Sequence, residues 1–302
     1  VLLNGKIIVT HEDMSDEDQT VYVDVPSIHT NATSAATGTH TLERSKDAKI
    51  VDRVTYSGLV PGQKYTVTAT PYYKDSGEVV KGVKPVTVEF TAEKADGYID
   101  VTVPIDTTFL PGKSIVMFES LKYEDVEIAV HNDINDENQT VTVPTIDTVA
   151  TGAGGSHTIP INEDVVVTDT ITFTGLTVGK TYHIEGRLVH KKDSAKAVAE
   201  ASMDFVPTET NGTVQVEYTF NTAGLANESF VCFETIKTDD DVVLIDHKDL
   251  NDEDQTVTVT DTPDTPSTGD SSKMTFHFVL SAIFGAGFIG CVVLMYRRRR
   301  DD

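Results

Sequence analysis

Sulfur is scarce in this chain. Among 302 residues there are two cysteines, Cys291 inside an apolar run near the C-terminus and Cys232 alone in everything before it. A single thiol has no disulfide partner in that long N-terminal part, so whatever staples it is not sulfur. Basic residues are also in deficit: 24 Lys and Arg stand against 48 Asp and Glu, a formal charge of -24. A surface of that sign repels nucleic acid and anionic membranes. Helical periodicity is missing outside the C-terminal run, which argues against an α/β enzyme core.

Long apolar runs are absent but for one. Met274 to Tyr296 spans 23 residues, about 34 Å as a helix, enough to cross a hydrocarbon layer of about 30 Å. Arg297, Arg298, Arg299 and Arg300 follow it and by the positive-inside tendency hold that end in the cytoplasm, with the preceding residues outside. Export requires a leader, and none stands before Val1; the expectation is a fragment whose start, with any ligand-binding head, lies upstream. Just before the run comes Thr265-Pro266-Ser267-Thr268-Gly269. Pentapeptide, apolar span and basic tail in this order resemble a sortase sorting signal, with Thr265 standing where the family pattern usually has Leu. The resemblance implies cleavage between Thr268 and Gly269, transfer of the new carboxyl to a cell-wall amine, and sortase and peptidoglycan as partners. The rival is a permanent single-span anchor.

The rest of the chain repeats itself. Asp16-Glu17-Asp18-Gln19-Thr20-Val21 returns as Asp136-Glu137-Asn138-Gln139-Thr140-Val141 and as Asp252-Glu253-Asp254-Gln255-Thr256-Val257. A His precedes each Gln by eight residues: His11, His131 and His247. The division that follows is 1–22 as the end of a preceding repeat, 23–143 and 144–260 as whole repeats, 261–273 as a linker with the sorting motif, 274–296 as the transmembrane helix and 297–302 as the basic tail. Each whole repeat is rich in short alternating runs of Val, Thr, Ile, Tyr and Phe, the pattern of strands. In the second, strands are expected near 170–174, 182–190, 201–206, 213–220, 230–235, 242–247 and 255–260. The expected fold is all-β, tandem immunoglobulin-like β-sandwiches followed by one C-terminal helix.

Side-chain phase then exposes polar residues on apolar faces. Thr148 is in phase with Ile146 and Ala150, Asp169 with Ile171 and Phe173, His247 with Val243 and Ile245, Gln255 with Val257 and Val259. The first repeat has the same set in Thr30, Asp52, His131 and Gln139. All eight are expected to face the core. Glu119 and Glu234 close runs that are apolar on both faces, so phase does not place them. Five buried polar groups per domain cost several kcal/mol unless they satisfy one another, which argues for convergence on one site.

Val116-Met117-Phe118-Glu119 and Val231-Cys232-Phe233-Glu234 resemble the Val-x-Phe-Glu signature of VaFE repeat surface proteins, whose domains are similar to the Thr-Gln ester-bond domains of Gram-positive adhesin stalks. The resemblance covers essentially residues 1 to 260. It implies a side-chain ester joining Thr30 to Gln139 and Thr148 to Gln255. The chemistry asks for the residue types present. A hydroxyl is a weak nucleophile and needs a base, which His131 or His247 supplies; a carboxamide is a poor electrophile and needs hydrogen-bond donation. Asp52 with Glu119, and Asp169 with Glu234, are expected to share one proton and offer a neutral donor. Formation occurs once per domain, so this is maturation and not enzymatic turnover. His11 and Gln19 belong to the partial repeat.

The same residues admit other readings. No cofactor or metal is expected: Asp133 to Glu137 faintly resembles a calcium loop but lacks its Gly and its final Glu, and reads as a solvated turn. Cys232 as a thioester former is opposed by Met117 at the matching position, which marks an apolar slot. Asn-x-Ser/Thr triplets such as Asn31-Ala32-Thr33 read as chance. A Lys-Asn isopeptide sandwich is the nearest rival. A wall hydrolase using the Asp and Glu pairs, and a host matrix or glycan-binding module hinted at by Tyr72-Tyr73, stand further off.

Overall fold

The computed structural model describes residues 2–7, 10–20 and 25–260. The 274–296 run and the Thr265 to Gly269 motif lie outside the described residues. Among the described residues no helix is long and apolar enough to cross a membrane.

Alternation of Val, Ile and Thr produces strands nearly throughout. The first residues form a small hairpin, β1 (Leu2–Leu3) with β2 (Lys6–Ile7), and Glu17–Gln19 make a 3-10 turn capped by the Asp16 side chain. The first whole repeat contains β3 (Ser27–Ser34), β4 (Ala48–Ser57), β5 (Lys64–Tyr73), β6 (Val86–Thr91), β7 (Gly97–Ile105), β8 (Ser114–Tyr123), β9 (Val126–His131) and β10 (Thr140–Thr142). The second contains β11 (Thr145–Thr151), β12 (Thr158–Pro160), β13 (Val165–Thr174), β14 (Tyr182–His190), β15 (Asp193–Phe205), β16 (Gly212–Phe220), β17 (Ser229–Thr238), β18 (Val243–His247) and β19 (Thr256–Thr260). The seven strands expected in the second repeat are present with shifted ends. β15 begins much earlier than expected, because Asp193 to Glu200 is dominated by Ala and charged residues and presents little apolar signal.

Each repeat builds two sheets. The smaller has order β3-β4-β7 in the first repeat and β11-β13-β16 in the second. The larger runs β10-β8-β5-β6 in the first and β12-β19-β17-β14-β15 in the second. Apolar inner faces of the two sheets form one core per repeat, Ile50, Val54, Val67, Val103 and Met117 in the first and Val167, Ile171, Ile184, Leu188 and Phe230 in the second. Residues Val143 and Pro144 alone separate β10 from β11. Across this junction the Thr41 hydroxyl donates to the Gly175 carbonyl at 3.0 Å, and the Arg44 amide donates to the Leu244 carbonyl at 2.8 Å.

One detail of the larger sheet creates the site. β10 pairs with Ser114 to Val116 of β8, while β9 pairs with Glu119 to Tyr123 on that same strand. The second repeat matches it, with β19 on Ser229 to Val231 and β18 on Glu234 to Lys237 of β17. Between these paired stretches the chain turns, and the turn carries Gln139 or Gln255 into the interior, where both are fully buried.

Candidate functional site

Thr30 and Asp52 lie on neighbouring strands of the smaller sheet: Thr30 sits opposite Val54, and Asp52 opposite Ala32. Both point into the core, Asp52 with no exposed surface. Glu119 comes from the facing sheet. Its strand puts Ile115, Met117 and Leu121 on the same buried face, and this settles the orientation that the local apolar run leaves open. Glu234 is placed likewise with Phe230, Cys232 and Ile236.

These side chains meet. In the first repeat the Gln139 amide nitrogen donates to Thr30 Oγ1 and to Glu119 Oε2, each at 2.5 Å. The Thr30 hydroxyl lies 3.1 Å from Glu119 Oε2 and 3.2 Å from His131 Nδ1. In the second repeat Gln255 Nε2 donates to Thr148 Oγ1 and, at 2.6 Å, to Glu234 Oε2, with Thr148 Oγ1 3.3 Å from His247 Nδ1. Thr, Asp, Glu, His and Gln therefore converge twice in the same arrangement. Each Thr and its Gln belong to the opening strand and the closing turn of their repeat, 109 and 107 residues apart.

The histidines depart from the expected burial. Their side chains retain 18% and 22% of their surface, so they stand at the rim of the core. The reason is their second partner. His131 Nε2 meets Asp136 Oδ2 at 3.2 Å, and His247 Nε2 meets Asp252 Oδ2 at 3.1 Å. The segment read as a solvated turn thus supplies a carboxylate that orients the base. Asp136 also caps the turn, its Oδ1 accepting from the Asn138 amide at 2.8 Å, so one side chain fixes both the His and the entry of Gln139. A sequence signal existed: an Asp stands three residues before the Gln in all three copies. His11 and Asp16 of the partial repeat make the same pair at 2.9 Å, with Gln19 exposed.

The order Thr hydroxyl, His, Asp matches the arrangement of nucleophile, base and orienting carboxylate in a catalytic triad. Asp136→Asn and Asp252→Asn are expected to slow any chemistry at Thr30 and Thr148 by about 10²- to 10⁴-fold. A time course of the joined Thr and Gln peptides after digestion measures this, and an unchanged rate would remove the Asp from the mechanism.

Electrostatics bear on the acids next. Burial raises Asp52, and burial together with the nearby Asp52 charge raises Glu119 further. Asp169 and Glu234 are raised for the same reasons. Two carboxyls hydrogen-bonded in low dielectric retain a proton between them. Both oxygens of Asp52 and Oε1 of Glu119 are buried without another hydrogen-bond partner. Burial pushes His131 below the usual imidazole value, with Asp136 partly opposing, which favours the neutral ring with one nitrogen free to accept a proton.

A stability effect follows. A carboxyl whose folded pKa is raised stabilises the fold below its unfolded value, near 4, and loses that contribution as pH rises through the folded value. Thr30→Ala unfolding midpoints are expected to fall relative to Thr30→Ala/Glu119→Gln between pH 4 and pH 8. Urea titrations of the two variants check it; a constant difference would mean that Glu119 titrates alike folded and unfolded.

The remaining candidates resolve simply. Cys232 is free and fully buried, as is Met117, and burial drives its thiol well above the ordinary range, which makes it inert. Asp169, Cys232 and Glu234 present ligand atoms within 4.8 Å of one another, but the two acids share a proton and Met117 takes the Cys place in the other repeat. Tyr72 packs on Phe118 at 4.5 Å between ring centres and remains partly exposed.

A two-sheet β-domain that closes a buried Thr, Gln and acid pair, with a His at the rim, between its opening strand and closing turn defines a class of intramolecular cross-linking module. The chain belongs to the family of T-Q ester bond containing domains, whose model matches residues 2–23, 26–143 and 144–259. No curated protein matches. Among solved structures the chain is similar to a bacterial adhesin from Mobiluncus mulieris containing intramolecular disulfide, isopeptide and ester bond cross-links, at 13% identity and TM-score 0.36, over 70% of this chain and 81% of that one. It is also similar to the C-terminal domain of the Streptococcus agalactiae AgI/II polypeptide BspA, at 9% identity and TM-score 0.39, over 78% and 99%. A family 2 glycosyl hydrolase from Bacteroides cellulosilyticus matches at 10% identity and TM-score 0.31, over 70% of this chain and 28% of that one.

Proposed function

We propose that this chain is the stalk of a wall-anchored Gram-positive surface protein or adhesin, of the VaFE repeat type, with immunoglobulin-like domains each locked by a self-formed Thr-Gln ester. One observation carries the reading: in both repeats a Thr hydroxyl beside a His lies against a fully buried Gln carboxamide whose nitrogen also meets the Glu. His takes the hydroxyl proton, Thr Oγ1 bonds to the Gln Cδ, and the acid proton supports charge developing on the amide oxygen. A half turn of the amide brings that oxygen to the side now facing Glu119 or Glu234. The Cδ–Nε2 bond then breaks and Nε2 departs as ammonia, carrying the proton that His received. Water is kept from the ester by the core, so the sequence stops at the acyl stage.

Such a bond ties the first strand to the last and across the two sheets, so a pull along the chain bypasses the strands between. The -24 charge suits an exposed exterior stalk, and a single turnover per domain makes this maturation, not enzymatic activity. Sortase, peptidoglycan and a host surface ligand on an upstream head are the partners that fit; the membrane serves the precursor tail only. Mild alkali or hydroxylamine is expected to separate the joined Thr30 and Gln139 peptides; survival of the joint would assign an isopeptide and reject the ester. For anchoring, wall fragments released by muramidase are expected to carry a chain ending at Thr268, whereas a chain retaining its apolar tail would establish a permanent membrane anchor.

A further inference from the structure

The two repeats differ in a hydroxyl that meets the acid pair. In the second, Tyr218 is buried and its hydroxyl donates to Glu234 Oε1 at 3.3 Å. Tyr218 sits two register positions from the residue opposite Asp169; the equivalent position in the first repeat, two beyond the partner of Asp52, is Val103. The strand beside Glu234 differs in concert. Gly186 pairs with Glu234, whereas Ala69 pairs with Glu119. A Cβ on Gly186 would overlap the Tyr218 hydroxyl, so Tyr and Gly form a matched pair at positions where the first repeat has Val103 and Ala69. Glu119 Oε1 meets no donor among the described residues, while Glu234 Oε1 has the tyrosine.

We infer that Tyr218 is a positioning residue for ester formation in the second repeat: by donating to Glu234 Oε1 it directs the acid proton to Oε2, the oxygen that faces Gln255. A protonated carboxyl has one hydroxyl and one carbonyl oxygen, and a donor aimed at one oxygen favours the hydroxyl on the other. In the first repeat no side chain among the described residues imposes this choice. The second repeat should therefore cross-link faster. The inference rests on the ester reading, but the two fail differently.

The test uses the whole chain made by cell-free translation, quenched at intervals and digested, with the joined Thr30–Gln139 peptide as an internal clock for the joined Thr148–Gln255 peptide. Tyr218→Phe keeps the ring and removes only the hydroxyl; it is expected to slow the second repeat about tenfold, the worth of one buried hydrogen bond to a charged or reacting group, and to leave the first unchanged. Gly186→Ala should act in the same direction by displacing the hydroxyl. The reciprocal change, Val103→Tyr with Ala69→Gly, should accelerate the first repeat, a gain that mere packing does not supply. Joined peptides at wild-type ratio in Tyr218→Phe, with no acceleration in the reciprocal variant, would overturn the inference alone. Absence of any joined peptide from the wild-type chain would overturn the ester reading with it.

Discussion

Thr30→Ala and Thr148→Ala are each expected to restore the mass of one ammonia to the chain and to destabilise their own repeat by about 4 to 5 kcal/mol. The wild-type chain should be lighter than the sum of its residues by two ammonias, each single variant by one, and the double variant by none. The stability figure comes from loop closure: a link across about 100 residues removes about 4.7 kcal/mol of unfolded-state entropy if disulfide reasoning carries over. The loops are 109 and 107 residues. For a domain of this size that corresponds to a melting shift on the order of 20 °C. Thr30 and Thr148 lose only a methyl and a hydroxyl on truncation, so packing accounts for a small part of such a shift. Thr30→Ser, which keeps a hydroxyl, should retain the ammonia loss. Intact mass spectrometry and calorimetry read both effects, and a wild-type mass equal to the full residue sum would sink the ester.

Glu119→Gln and Glu234→Gln should have the second large effect, slowing cross-linking by about 10²- to 10³-fold, the usual cost of removing one donor from an oxyanion-stabilising array. The substitution is nearly isosteric in a fully packed core, so the fold is expected to persist. It replaces an acid whose proton can follow the developing charge with an amide whose protons cannot transfer. In the first repeat the change also frees Asp52 from its shared proton, leaving a fully buried carboxyl that takes up a proton of its own. Asp52→Asn and Asp169→Asn are expected to be milder, because these acids act through their glutamates and touch neither Thr nor Gln in the hydrogen-bond network. Equal cross-linking in Glu234→Gln and wild-type chains would return Glu234 to a purely structural place.

Much of this is written locally. The strand runs, the repeat and the unusual phase of Thr30, Asp52, Thr148 and Asp169 follow from alternation, because a strand fixes side-chain direction every second residue. Gln139 and Gln255 are legible from their phase with the strand that follows each, although they sit on the turn just before it, and the repeated His eight residues earlier marks the candidate base. Glu119 escapes local reading because Val116 and Phe118 make both faces of its strand apolar, and only the outer packing of the larger sheet, where Tyr72 covers Phe118, explains why. Asp136 and Asp252 look like turn residues, and their capping bonds show that they are. Their second role appears only when the neighbouring strand brings a His ring to the other carboxylate oxygen.

Periodicity and repetition are properties of a one-dimensional string, and they suffice to make the chain β-rich and repeated, with one set of Thr, Asp, Glu, His and Gln in each repeat. No such pattern says that Thr30 meets Gln139, that the histidines sit at the rim and face Asp136 and Asp252, or that Tyr218 reaches Glu234 over Gly186. Those are distances between two sheets and across more than a hundred residues of chain, and they are set in three dimensions, by how the sheets stack and where β9 and β10 divide the flank of β8.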